Sequence, residues 1–172
     1  MTIGPTGAGE AGTMRFPVLP VRSLAGDELI LPRDLPAQRT LVVCAFRQWQ
    51  QRLVDEWIDW AVAAGVAPSP LGLDRTAPTA VIEVPVLGRR YRPARSFIDG
   101  GMAAGIRVPT VLARTLTAYT DVAAFCRAAG IESRATVTAM VVRRDATVLA
   151  RVAGPPDAAT VADVAATLGL TG

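Results

Sequence analysis

The chain has 172 residues, 51% of them hydrophobic, and a formal net charge of +3. That length suits one domain with a core of its own, and no uncharged apolar run approaches the ~20 residues that span a bilayer. Histidine, lysine and asparagine are absent and all eighteen basic residues are arginine, which excludes a Ser-His-Asp or Cys-His pair, a lysine Schiff base, a P-loop lysine and imidazole-bound zinc.

The mild positive charge does not by itself imply nucleic acid. The missing lysine and asparagine, whose codons are AT-rich, point to a GC-rich bacterial genome. The opening MTIGPTGAGEAGTM has neither the basic region nor the apolar stretch of a signal peptide. Its small, Gly-rich composition predicts a flexible tail over residues 1–13, followed by one domain over 14–172. A cytoplasmic protein without an integral membrane segment is expected, with peripheral membrane contact left open.

In chain order, Phe16 to Val21 reads as a first strand, confined to a sheet edge by Pro17 and Pro20. Gly26-Asp27 signals a turn into a short strand over Glu28 to Leu31, closing a hairpin. Thr40 to Phe46 is a continuous apolar, β-branched run, the pattern of a strand buried on both faces. From Gln48 the period changes: Trp49, Leu53, Trp57, Trp60, Ala61 and Ala64 fall on one helical face, and Gly65 stops the helix. Arg52 and Glu56 are spaced for an i,i+4 pair. After a Pro-rich loop, Ala80 to Leu87 is a second buried strand carrying one carboxylate, Glu83.

Arg89 to Arg95 is basic, and the following segment predicts a short helix ending near Asp99, broken by Gly100-Gly101. Arg114 to Tyr119 suits a strand. Asp121 to Ala129 suits a helix with Asp121 as N-cap and Gly130 at its C-terminal end. Thr136 to Arg143 and Thr147 to Val152 form a hairpin across Asp145-Ala146, and Ala158 to Leu168 is a closing helix capped by Asp157. Strands alternating with helices and finishing on a hairpin plus helix describe an α/β sandwich with a mixed sheet.

Three stretches carry a family likeness: LAGDELILPRDLPAQRTLVVCAF, FRQWQQRLVDEW and TVTAMVVRRDATVLARVAG. Through them the chain resembles the thioredoxin superfamily, and within it the peroxiredoxin-like branch with an added N-terminal β-hairpin. The resemblance implies a three-layer α/β/α sandwich with a mixed central sheet. With Trp49 matched to the tryptophan before the family's first cysteine, Gln50 replaces that cysteine and Leu53 the second. Val137 falls at the family's cis-proline, and the peroxidatic Pro-x-x-x-Thr-x-x-Cys is missing. The resemblance thus implies a scaffold without disulfide exchange, peroxidase chemistry or cofactor. The FRxW junction, the SFIDGGM segment and the last hairpin are also similar to the degenerate thioredoxin-like family of ATP-synthase assembly factors. That likeness implies a protein partner in a membrane complex.

Several side chains are candidates for function. Arg47, Gln48, Gln50 and Gln51 begin a helix, where free N–H groups and the dipole favour a carboxylate or phosphate; a solvated helix start is the plain alternative. Arg47, Trp49 and Gln50 would form the rim of a partner groove, with the backbone of Thr136, Val137 and Thr138 offering strand-like pairing. Trp57 and Trp60 suit the core, whereas Trp49 stands at the groove edge. Glu83 needs a partner if buried, and an arginine salt bridge is expected. In an alternative enzymatic reading, Glu83 or Asp99 moves a proton on a small anionic substrate held by Arg47. Arg89, Arg90, Arg92 and Arg95, four arginines in seven residues, form a patch for an anionic partner or a solvated surface. Cys44 and Cys126 suit inert buried thiols, Cys126 being also the candidate for a redox sensor. No metal site is expected.

Overall fold

The computed structural model describes residues 13–170. The expected tail over 1–13 lies, apart from Thr13, outside the described residues. Among the described residues seven strands form one sheet: β1 (Leu19–Ser23), β2 (Glu28–Leu31), β3 (Arg39–Ala45), β4 (Thr79–Gly88), β5 (Leu116–Thr120), β6 (Thr138–Val142) and β7 (Val148–Ala153). The helices are α1 (Gln51–Ala63), α2 (Arg95–Ala104), α3 (Pro109–Arg114), α4 (Val122–Ala129) and α5 (Ala158–Leu168). Strand order is β2-β1-β5-β4-β3-β6-β7. β3, β4 and β5 run parallel at its centre, while β1 and β6 flank them antiparallel. The α/β class with a mixed sheet and an N-terminal hairpin is therefore as expected.

Strand alternation sorts the apolar residues into two cores. Leu41, Val43 and Val81 face Val54, Trp57, Ile58 and Ala61 of α1 and Val164 and Leu168 of α5. Val42, Cys44, Ile82, Val84 and Met140 face Phe125, Cys126 and Ala129 of α4, together with Phe16 and Leu35. β3 and β4 are apolar at nearly every position because both faces are covered. α4 begins on Asp121, which accepts from Ala124 N at 3.0 Å, and ends on Gly130 at φ +67. α5 begins on a full capping box between Asp157 and Thr160.

Four expectations need correction. β1 is not an edge: it pairs with β2 along its length and with β5 only at Arg22 and Ser23. The ladder to β5 thus starts beyond Pro20, which has no N–H to offer it. The buried stripe of α1 is Val54, Trp57, Ile58 and Ala61, whereas Leu53 and Trp60 are half-buried and Ala64 is exposed. A 3-10 turn over Gln48–Gln50 precedes the helix and rotates Trp49 out, leaving it 65% exposed. α2 does not stop at Asp99 but runs through Gly100-Gly101, after a 3-10 segment over Arg89–Ala94. α3, opened by Pro109 at its first turn, has no counterpart among the expected elements.

α2 buries none of its side chains, so its attachment is polar. Asp99 accepts from Tyr119 Oη at 2.7 Å and Thr117 Oγ1 at 3.1 Å, both on β5. Arg95 pairs with Asp99 at 3.6 Å and lies over the Tyr119 ring at 5.5 Å, while Arg92 donates to Tyr119 O at 3.1 Å. Burial, reinforced by the Asp99 hydrogen bond, pushes the Tyr119 phenol above its ordinary range.

The two glycines of α2 face open space, with no atom within 4 Å of a Cβ built on either. Gly100→Ala should raise stability by about 1 kcal/mol by removing a helix-interior glycine. Urea unfolding followed by circular dichroism measures this; a destabilised variant would mean that α2 is not helical at that position.

Candidate functional site

The carboxyl ends of β3 and β4 open beside the start of α1, where ligands commonly sit in open α/β sheets. What shapes this junction is a buried glutamine. Gln50 is fully buried; its Oε1 accepts from Phe46 N at 2.8 Å and its Nε2 donates to Arg134 O at 2.9 Å. β3 ends at Ala45, so the Phe46 N–H, past the strand end, takes its partner from a side chain. The same amide fastens the loop between α4 and β6. Gln50 is thus a structural clamp and not the partner-contacting rim residue expected of it, because no face of it reaches solvent.

Two cavities lie beside this junction and share the residues that precede Gln50. The larger, about 840 Å³, is a mostly apolar cleft bounded by the ends of β3 and β4, α1, α2 and α3. Phe97, Ile98 and Met102 of α2 form one wall, and Phe97 is 86% exposed. Its floor carries Glu83 and Asp55. Glu83 is buried and meets the Thr115 hydroxyl at Oε1 and Gln51 Nε2 at Oε2, 3.1 Å away. The Gln51 amide also donates to Asp55 Oδ1 at 3.0 Å, joining the two carboxylates. The arginine salt bridge expected for Glu83 is not formed among the described residues. Neutral donors from α1 and Thr115 take its place, because Arg114, also in the cleft wall, is turned onto Pro68 O at 3.1 Å.

The second cavity, about 670 Å³, lies on the other side of a ridge made by Phe46, Arg47, Gln48, Val86 and Leu87, which line both. Four arginines line it: Arg47, Arg89, Arg90 and Arg134. The one carboxylate there among the described residues, Asp121, caps α4 and pairs with Arg89 at 3.5 Å. Arg90 donates to Tyr91 Oη at 2.9 Å and stacks over that ring. Arg47 and Arg134 make no ion pair among the described residues.

The structure therefore divides the expected candidates. Arg47 joins Arg89 and Arg90 in one basin, whereas Arg92 and Arg95 of the same run are committed to Tyr119 and Asp99. Arg134, which no sequence signal marked, completes the basin. Glu83 opens on the cleft; Asp99 does not line it and is occupied on β5. Thr138 is paired with Cys44 on one side and Ala153 on the other, and Val137 O accepts from Gly154 N at 2.9 Å. Thr136 and Val137 both precede β6, and none of the three lines either cavity. Trp49 is exposed but lines neither cavity.

Both cysteines are free and buried in the α4-side core. Burial pushes the Cys44 thiol well above its ordinary range; Cys126 is also raised by burial, against a smaller opposing effect of Arg134. Neither thiol lies at the junction. Among the described residues no cluster of His, Cys, Asp or Glu is placed to hold a metal ion, and no helix is long and apolar enough to cross a membrane.

Comparison of this architecture with solved structures gives consistent neighbours. BsSco, a member of the Sco family of cytochrome c oxidase assembly proteins, superposes with a TM-score of 0.59 at 8% identity, over 92% of this chain and 94% of that one. Yeast Sco1 with copper bound gives 0.54 at 9% identity, over 93% and 94%. The exposed lipoprotein thioredoxin Etrx1 of Streptococcus pneumoniae gives 0.53 at 10% identity, over 86% and 97%. The fold is thioredoxin-like. At these identities the likeness concerns fold alone. No protein-family model matches the sequence, and no curated protein matches it either.

The clamp and the buried thiols each yield an expected outcome. Gln50→Ala leaves the Phe46 N–H and the Arg134 carbonyl without their partners and should cost roughly 1–3 kcal/mol. Urea titration reads this, and a loss under about 0.5 kcal/mol, the range of ordinary surface changes, would remove the clamp. Ellman's reagent should find no fast-reacting thiol in the native protein and both in urea; rapid native labelling of Cys126 would revive a redox-sensor role.

Proposed function

We propose that this chain is a non-redox, thioredoxin-like binding module that holds a protein partner at the place where the fold family keeps its redox centre. One observation carries the reading: an apolar cleft of about 840 Å³ opens at the β3–α1 junction, where Gln50 and Leu53 stand and no cysteine does. Phe97 sits at its rim almost wholly exposed. Exposed aromatic anchors beside an apolar pocket are the usual centre of protein interfaces. The degenerate junction, the likeness to ATP-synthase assembly factors and an assembly protein among the structural neighbours all support an assembly role. A membrane complex is the partner class they favour, with this chain a peripheral companion of it.

In this reading the docking place differs from that expected from sequence. The backbone of Thr138 is paired in the sheet and the Val137 carbonyl accepts from Gly154 N, which supports a partner held by side chains in the cleft, with Arg47 on its ridge. Photo-crosslinked capture from native cells, comparing wild type with Phe97→Ser and Arg47→Ala, tests this. A specific partner retained by wild type and lost from Phe97→Ser is expected, as is failure to reduce insulin disulfides. Insulin reduction at ordinary enzymatic rates, or equal capture by all three proteins, would overturn the reading.

A second reading rests on Glu83, a buried carboxylate that opens on the same cleft as Arg47. In it, Arg47 orients a small anionic substrate and Glu83 moves a proton. It requires a thermal shift with a small carboxylic acid that Arg47→Ala abolishes; no shift across a library of such acids would dispose of it.

A further inference from the structure

We infer that the segment held by this module is acidic on one side and apolar on the other, its apolar side chains entering the cleft and its carboxylates lying over the arginine basin. This deepens the protein-binding reading and rests on it. The basin draws its cations from three separate parts of the chain: Arg47 after β3, Arg89 and Arg90 after β4, and Arg134 before β6. A run of arginines along one helix is commonly just a solvated face, but convergence from three loops onto one cavity is a property of the fold. Asp121 offsets Arg89, while Arg47 and Arg134 make no ion pair among the described residues. Guanidinium groups gathered in this way favour carboxylates, which they can bind in bidentate fashion.

The orientation of the segment follows from the charge balance of the two cavities. Asp55 and Glu83 line the cleft together with Arg47 and Arg114, the latter turned onto Pro68 O, so a partner carboxylate gains little there, whereas across the ridge it meets four guanidinium groups against the carboxylate of Asp121. The ridge residues Phe46, Arg47 and Gln48 border both cavities, so one short extended segment can reach both. Electrostatic complementarity of this kind fixes register and partner choice more than raw affinity. The basin is thus the specificity half of the site and the cleft its anchoring half.

Three fluorescent ten-residue peptides that share two leucines, and whose other positions are acidic, uncharged or basic, provide the test by anisotropy. The acidic peptide should bind wild type at least about tenfold more tightly than the uncharged one, and the difference should shrink with added salt. The double variant Arg47→Glu/Arg134→Glu should lose that preference and gain one for the basic peptide; both residues are exposed, so the fold tolerates the exchange. Phe97→Ser should weaken the acidic peptide while preserving the preference for it. Equal binding of acidic and uncharged peptides, both lost in Phe97→Ser, overturns the acidic segment and leaves the protein-binding reading intact. Binding of none of the three overturns the inference, and partner capture then decides the wider reading separately. Retention of the acidic preference by the double variant overturns it as well.

Discussion

The amide of Gln50 is the interaction on which the candidate site depends. It answers a need created by the fold: once β3 has ended, the Phe46 N–H has left the ladder, and a side chain folded back from the following turn supplies the acceptor. Because the other half of the same amide holds Arg134 O, the turn before α1 and the loop before β6 are fixed to each other. Arg47 and Arg134 therefore border one cavity although far apart in sequence. The clamp also explains why position 50 is closed to chemistry while positions 47 to 49 are exposed.

A second constraint shapes the cleft. Its far wall, α2, is not attached by burial; it is pinned by one carboxylate to a hydroxyl and a phenol on β5. A wall fixed at Asp99 turns Ile98 and Met102 half-buried along the cleft and leaves Phe97 exposed at its rim. Glu83 illustrates the companion point: satisfied by a threonine and a glutamine, it needs no cation, and Arg47 in the same cleft makes no ion pair among the described residues.

How much of this was legible in the sequence depended on how local the determining physics was. β3, β4 and the β6–β7 hairpin could be read because strands buried on both faces are apolar at nearly every position, and α4 and α5 because Asp121, Gly130 and Asp157 are strong end signals. The face of α1 was read one position off, since a 3-10 turn does not keep the helical period that places Trp49 with Trp57. α2 was cut short because glycine propensity counted for more in the sequence than its polar anchorage to β5, which is a tertiary contact. Pro17 and Pro20 mark a sheet edge locally, yet the second neighbour of β1 engages only the residues beyond them. At the site, Arg47 and the run from Arg89 to Arg95 were visible as separate features. Their union in one basin, the departure of Arg92 and Arg95 from it, and the part of Arg134 were not, because each is set by how three loops meet.

The placement of the tryptophans has an optical consequence. Trp57 is buried, donates its indole N–H to Gly154 O at 2.8 Å and stands edge-on to Trp60 at 5.7 Å, whereas Trp49 is alone in solvent beside the ridge. Emission from this protein thus comes from two environments, one reporting the packing of α1 on the sheet and one reporting the water beside the site. A soluble quencher reaches Trp49 freely and Trp57 not at all, so the state of the core and the exposure of the turn before α1 are readable from the same unlabelled sample.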